Sequence, residues 1–150
     1  MNEQLIVFAL GEQRYALRLA AVDRVVRAVA ISPLPQAPGI VLGLINVRGR
    51  IIPIIDMRLR FSLPQRTIAL TDQIVIAHTM RRAVGLVVDG VANIIAYPTQ
   101  SMAAAQDILP GMSYIEGVMK LPDGLVLIHD LEQFLSLEEE IALARALATT

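Results

Sequence analysis

The sequence predicts an all-β protein with short helices and a C-terminal helix, made of two similar halves packed on a common apolar core. Three observations lead there. Short aliphatic runs alternate along the chain with breaks of Gly, Pro, Asn and Asp, the pattern of strands in sandwiches and barrels. "GLINVRGRIIPIIDMRLRFS", Gly43 to Ser62, is echoed by "GVMKLPDGLVLIHDLEQFLS", Gly117 to Ser136, with Gly, Asp and Ser each displaced by 74 (117 − 43, 130 − 56, 136 − 62). Finally, "SLEEEIALARALA" opens with Ser136 and has Glu139 three residues on, the capping box that starts a helix.

Strands are predicted at 4–11, 14–19, 25–31, 41–47, 50–55, 73–79, 82–88, 91–97, 114–121 and 124–129. "SPLPQAPG", 32–39, holds three prolines and has to be a loop. "YPTQSMAAAQDILPGM", 97–112, is a longer connection with room for a helical turn. "IVFALGEQRYALRL" (6–19) resembles "IVIAHTMRRAVGLV" (74–87), so 4–62 and 73–136 read as two copies of one small β unit. Residues 63–72 join them, and a helix at 136–148 completes a single domain over 1–150. Units of about sixty residues are marginal alone, so the two are expected to form one body with a groove at the junction.

Composition narrows the function. The chain is 55% hydrophobic with three Phe, three Tyr and no Trp. No apolar run reaches the roughly 18 residues of a membrane span, so direct membrane insertion is not expected. "MNEQLIVFAL" lacks a signal peptide's basic start and cleavage site, and cysteine is absent, so the chain reads as cytoplasmic. A formal net charge of −1 gives no global pull toward nucleic acid. All basic residues but Lys120 are Arg, which codon usage alone can produce, although Arg is also the basic residue favoured at interfaces.

No catalytic or metal site is expected. Asp56 and Asp130 each end an aliphatic run and precede a short helical stretch, where an Asp caps backbone N–H groups, with Gln133 completing the arrangement after Asp130. His78 and His129 lack further ligands at metal spacing, and no nucleophile accompanies them. No Gly-rich phosphate loop occurs, so no cofactor is expected. Arg48, Arg50, Arg58, Arg60 and Arg66 cluster in sequence, but only Phe61 lies among them to stack on a base, which disfavours nucleic acid. Pro53 cannot donate to a ladder and argues for an edge strand or a bulge. In "NVRGR", Gly49 supplies the positive φ of a tight hairpin and places Arg48 at or beside its tip. Physics alone leaves Arg48 open between a solvated turn residue and a docking charge set in an apolar patch.

"GLINVRGRIIPIIDMR" resembles the signature of the CheW family of chemotaxis coupling proteins, and "VGLVVDGVANII" (84–95) and "YALRLAAVDRVV" (15–26) extend the likeness over roughly 5–136. The resemblance implies two five-stranded SH3-like barrels around a shared hydrophobic core. It implies a non-catalytic cytoplasmic adaptor at receptor arrays on the inner membrane face. Its partners would be the regulatory domain of the histidine kinase CheA and the cytoplasmic tip of methyl-accepting chemoreceptors. Arg48 matches the coupling Arg, Asn46 and Gly49 shape its hairpin, and Gly43 lies at the strand entry. Val22 and Val25 match partner-binding apolar positions on the first barrel, and Val91 and Ile94 match positions near the receptor groove. Arg24 stands where many members have Glu, which implies a paralogue with its own kinase or receptor class. Alternatives are a CheW-like adaptor in pilus motility or gene regulation, or a small nucleic-acid-binding barrel.

Overall fold

The computed structural model describes residues 2–98, 103–104, 115–133 and 135–148. Among the described residues, eleven strands form two sheets. Their ranges are β1 Asn2–Leu10, β2 Gln13–Arg18, β3 Val22–Arg27, β4 Val41–Val47, β5 Arg50–Ile55 and β6 Gln73–His78. The remainder are β7 Ala83–Val88, β8 Gly90–Pro98, β9 Ala103–Ala104, β10 Ile115–Leu121 and β11 Gly124–His129. Helix α1 is Met57–Arg60 and α2 is Leu137–Ala148, with 3-10 turns at Leu19–Ala21 and Leu131–Gln133. Most of the 97–112 connection lies outside the described residues.

One sheet runs β3-β6-β7-β5-β4 (barrel I) and the other β8-β1-β2-β11-β10, with the two-residue β9 beyond β10 (barrel II). These are two SH3-like barrels. Neither is made from one half of the sequence. The β1–β2 hairpin pairs with β8 and β11, and the β6–β7 hairpin pairs with β3 and β5, so the two halves exchange their first hairpins. The exchange obeys a pseudo-twofold down to single residues. Phe8↔Val91 in barrel II repeats as Ala77↔Val22 in barrel I, and Ile6↔Ile94 as Val75↔Val25, each pair displaced by 69 (77 − 8, 91 − 22). The parallel pair Ile128↔Ala16 likewise repeats as Ile54↔Gly85, displaced by 74 (128 − 54) and 69 (85 − 16).

Packing explains the aliphatic composition. Ile45, Ile52, Ile54, Ile74 and Ile76 fill barrel I, while Leu5, Val7, Ala16, Met119, Val126 and Ile128 fill barrel II. Between the barrels lies a larger core that includes Ile6, Phe8, Tyr15, Leu17, Val75, Val84, Leu86, Phe61 and Leu143. Successive residues of a strand face opposite sides, so Ile74 and Ile76 enter the barrel while Val75 and Ala77 enter the shared core. Both faces are buried, and each fully buried aliphatic side chain contributes roughly 1.5–3 kcal/mol. Helix α2 closes the shared core with Leu143 and Ala146. Its N-terminus carries the expected reciprocal cap: Ser136 N–H donates to Glu139 Oε1 at 2.8 Å, and Glu139 N–H to Ser136 Oγ at 3.1 Å.

Two expectations need correction and a third is narrowed. The third strand is Val22–Arg27, not 25–31, because its ladder to β6 runs from Val22↔Ala77 to Arg27↔Gln73. Of the edge strand or bulge expected for Pro53 the edge is excluded, since β5 lies between β7 and β4, while the β4–β5 ladder does shift register beside it, between Val41 and Gly43. Pro53 is accommodated because the parallel ladder with β7 begins only at Ile54, leaving no N–H needed on that side. Gln133 gives Asp130 only its backbone N–H, to the Asp130 carbonyl at 3.1 Å; the Asp130 carboxylate instead accepts from Glu132 N–H at 3.2 Å.

Candidate functional site

The β4–β5 hairpin has Arg48 and Gly49 as its two turn residues, between the paired Val47 and Arg50. Both take positive φ, +52° at Arg48 and +84° at Gly49, which is the backbone of a type I′ turn. Glycine adopts this freely, but for Arg48 the left-handed region costs about 1 kcal/mol. Asn46 holds the turn: its Oδ1 accepts from Gly49 N–H at 2.8 Å. Arg48 is exposed and forms no ion pair or hydrogen bond among the described residues. Ile51, beside Arg50, is 55% exposed, so the tip presents cations next to aliphatic surface.

Gly43 has a packing explanation of its own. At φ +151°, a Cβ there would lie 2.2 Å from the Ser32 carbonyl oxygen. Ser32 and Leu44 exchange backbone hydrogen bonds of 2.9 and 2.7 Å, and this bridge closes barrel I. Only glycine permits so close an approach.

The apolar candidates divide by exposure. Val22, Val25 and Val91 are half-buried against the shared core, whereas Ile94 is 56% exposed. The pseudo-twofold makes Val22 the counterpart of Val91, and Val25 of Ile94. The four residues therefore form two equivalent pairs on β3 and β8, which lie at the ends of their sheets. Arg24 is exposed on β3, and the neighbouring Asp23 contacts His78 Nδ1 at 2.8 Å.

The arginines that cluster in sequence separate in space. Arg66 holds Asp72 through two bonds of 2.9 and 2.6 Å and Asp89 at 2.7 Å, while Arg58 reaches Asp89 at 2.6 Å. Asp89 also accepts from Gly11 N–H at 2.7 Å, tying the β1–β2 turn to the segment between β7 and β8. The Arg66 guanidinium holds the Asp72 carboxyl below the usual carboxylate range. Burial works to raise Asp89, but its bonds to Arg58, Gly11 and Arg66 outweigh burial and hold it low as well. Arg60 pairs with Glu139 at 2.5 Å. Arg58, Arg60 and Arg66 thus serve the fold.

Asp56 caps α1, its carboxylate accepting from Leu59 N–H at 3.1 Å. His129 is buried, edge-on to Phe61 with ring centroids 5.3 Å apart. Burial, with a smaller contribution from the Arg60 charge, pushes its pKa down to about 3, so it is neutral. Among the described residues no cluster of His, Cys, Asp or Glu could hold a metal ion, and no helix is long and apolar enough to cross a membrane.

Comparison with known proteins agrees with this architecture. The CheW-like domain model matches residues 4–139. Chemotaxis protein CheW of Treponema pallidum (strain Nichols) is 30% identical over 142 residues, covering 91% of this chain and 84% of that protein. Chemotaxis protein CheW of Rhizobium meliloti (strain 1021) is 29% identical over 143 residues, covering 94% and 92%. The crystal structure of scaffolding protein TtCheW from Thermoanaerobacter tengcongensis superposes with a TM-score of 0.84 at 30% identity, covering 93% of this chain and 96% of that one. The chain belongs to the CheW-like domain family, whose members are non-catalytic adaptors.

Proposed function

We propose that this protein is a cytoplasmic adaptor that couples methyl-accepting chemoreceptors to a CheA-type histidine kinase, through protein contacts alone. The observation that carries the reading is Arg48. An arginine occupies a left-handed turn position that Asn or Gly fills at lower cost, is fixed there through Asn46 and Gly49, and has no partner within the described fold. Such strain is retained where a side chain is wanted outward. Around it the reading assigns Gly43 to closing the barrel beneath the hairpin. It assigns Val22, Arg24 and Val25 on β3, and Val91 and Ile94 on β8, to partner contacts. A helical receptor tip fits an aliphatic surface with one Arg anchor.

The test is binding of the purified protein to a kinase regulatory domain and to a receptor cytoplasmic fragment, each compared with Arg48→Glu. Wild type is expected to bind both, and the variant to lose at least one while its thermal unfolding is unchanged. Unaltered binding by Arg48→Glu would remove the hairpin from the interface.

A further inference from the structure

Seven of the twelve arginines are engaged by carboxylates: Arg14, Arg18, Arg58, Arg60, Arg66, Arg81 and Arg82. Among the described residues Arg24, Arg27, Arg48, Arg50 and Arg145 are not. Arg145 lies in the last turn of α2, where a cation complements the helix dipole. The other four have no such account, and all four belong to barrel I.

They also share one end of it. Ser32 and Leu44 are bridged antiparallel, so residues preceding Ser32 run in the same direction as residues following Leu44. Arg27 is five residues before Ser32 and Arg48 four after Leu44, and each directly follows a residue packed on one cluster, Val26 and Val47. Val26, Ile31 and Val47 pack against a single cluster, which holds the two segments together. Between Asp23 and Asp56 the sequence has these four arginines and no acidic residue. Asp23 itself is engaged by His78. Val29 (53% exposed) and Ile51 (55% exposed) supply apolar surface among the charges.

The pseudo-twofold provides an internal control. Through the displacement of 69, Arg24 corresponds to Asn93 and Arg27 to Ala96, because Arg24↔Ile76 matches Asn93↔Val7 and Arg27↔Gln73 matches Ala96↔Gln4. Through the displacement of 74, Arg48 corresponds to Pro122 and Arg50 to Gly124. The same backbone positions are thus filled in barrel II without a cation. The fold does not require positive charge there.

We propose that this end of barrel I is a docking face for an acidic protein segment, one presenting carboxylates around a small apolar contact. The proposal rests on the adaptor reading and specifies the chemistry of one partner. Interleaved aliphatic side chains, and no exposed aromatic platform among the four arginines, favour protein over nucleic acid. The discriminating variant is Arg24→Asn with Arg27→Ala, which installs the residues of barrel II and is expected to leave thermal unfolding unchanged.

Binding would be measured at low and high salt to the kinase regulatory domain, the receptor fragment, a synthetic amphipathic helix with a leucine face flanked by glutamates, and its lysine counterpart. Wild type is expected to bind both proteins but to use this face for one of them, and to bind the glutamate peptide over the lysine one at the same face. The double variant should weaken the two interactions at this face roughly tenfold at low salt and flatten their salt dependence. If wild type binds a partner protein and the double variant binds both proteins and the glutamate peptide equally well, the acidic-segment inference falls and the adaptor reading stands. If wild type binds neither protein, the adaptor reading falls, and the glutamate peptide alone decides the face: variant-sensitive binding supports it and no binding overturns it. Tighter variant-sensitive capture by single-stranded DNA or phosphatidylserine vesicles than by the glutamate peptide would also overturn it.

Discussion

His129 makes a quantitative prediction about acid stability. It is 2% exposed, packed edge-on against Phe61, and its pKa is pushed down to about 3 from 6.5. In the unfolded chain the imidazole titrates near 6.5; in the fold it stays neutral to about 3. Between those values the unfolded state binds a proton that the folded state does not, so stability falls as pH falls. It is fully present above pH 6.5. At pH 5, 1.5 units lower, the loss is about 2 kcal/mol at about 1.4 kcal/mol per unit. This figure needs only a folded pKa below 5. Urea unfolding of wild type and His129→Leu at pH 7.5 and pH 5 isolates the contribution, since His78 is common to both. Wild type should lose about 2 kcal/mol more than the variant over that interval. Equal pH slopes in the two proteins would show that His129 is protonated in the folded state and that the burial argument is wrong.

Two glycines with positive φ should respond differently. Gly43→Ala drives a Cβ to 2.2 Å from the Ser32 carbonyl and must open the Ser32–Leu44 bridge, costing about 3 kcal/mol or more in chemical denaturation. Gly49→Ala meets nothing within 4 Å and should cost about 1–2 kcal/mol, the left-handed penalty alone. Asp89→Asn removes the carboxylate shared by Arg58, Arg66 and Gly11 N–H, and a loss of about 2 kcal/mol is expected in the same assay. Because Asp72 and Asp89 titrate below their ordinary range, their contribution is present above about pH 4 and is lost as pH falls further. The wild-type and Asp89→Asn stability curves should therefore converge under strong acid.

The sequence carried the second hairpin of each half more plainly than the first. Gly43 and Gly117 mark the same register shift beside the strand entry, and Asp56 and Asp130 both accept from the following turn. Each marker has a local backbone cause, so the displacement of 74 is visible in residues. The first hairpins align in sequence at 68 (74 − 6) but superpose in register at 69. A slip of one exchanges barrel interior for shared core. The sequence does not display it because β1 and β6 are buried on both faces, and strands buried on both faces lose the alternation that fixes register. The same double burial hid the exchange of hairpins. At the site, Gly49 and Asn46 signalled the turn. Nothing local separated Arg48 from Arg58, whose partner Asp89 lies 31 residues along the chain, whereas Arg66 has Asp72 only six residues away.

The hairpin exchange makes the two halves interdependent, and this can be tested by cutting the chain. A break after Leu70, which is 90% exposed, separates the halves and cuts the turn in which Ala69 and Asp72 bond each other. Every ladder that joins a first hairpin to its barrel then crosses the cut: β1 with β8, β2 with β11, β3 with β6 and β5 with β7. Fragment 1–70 would keep β1 and β2 without their barrel, and β3 and β5 without the hairpin between them. Ile74, Val75, Ile76, Val84 and Leu86 alone contribute on the order of 10 kcal/mol of apolar burial. That is comparable with the whole stability of a small domain, about 5–15 kcal/mol. Each fragment alone should therefore show no cooperative thermal transition, and mixing them should restore one at a concentration-dependent temperature. A fragment that unfolds cooperatively by itself would mean that a half can close its own barrel, and the exchanged pairing would then be one of two arrangements open to the sequence. If complementation is obligatory, the two halves of the sequence cannot separate without breaking ladders within each barrel. Signals would then pass through this protein by where partners sit on its two ends, not by motion between its halves.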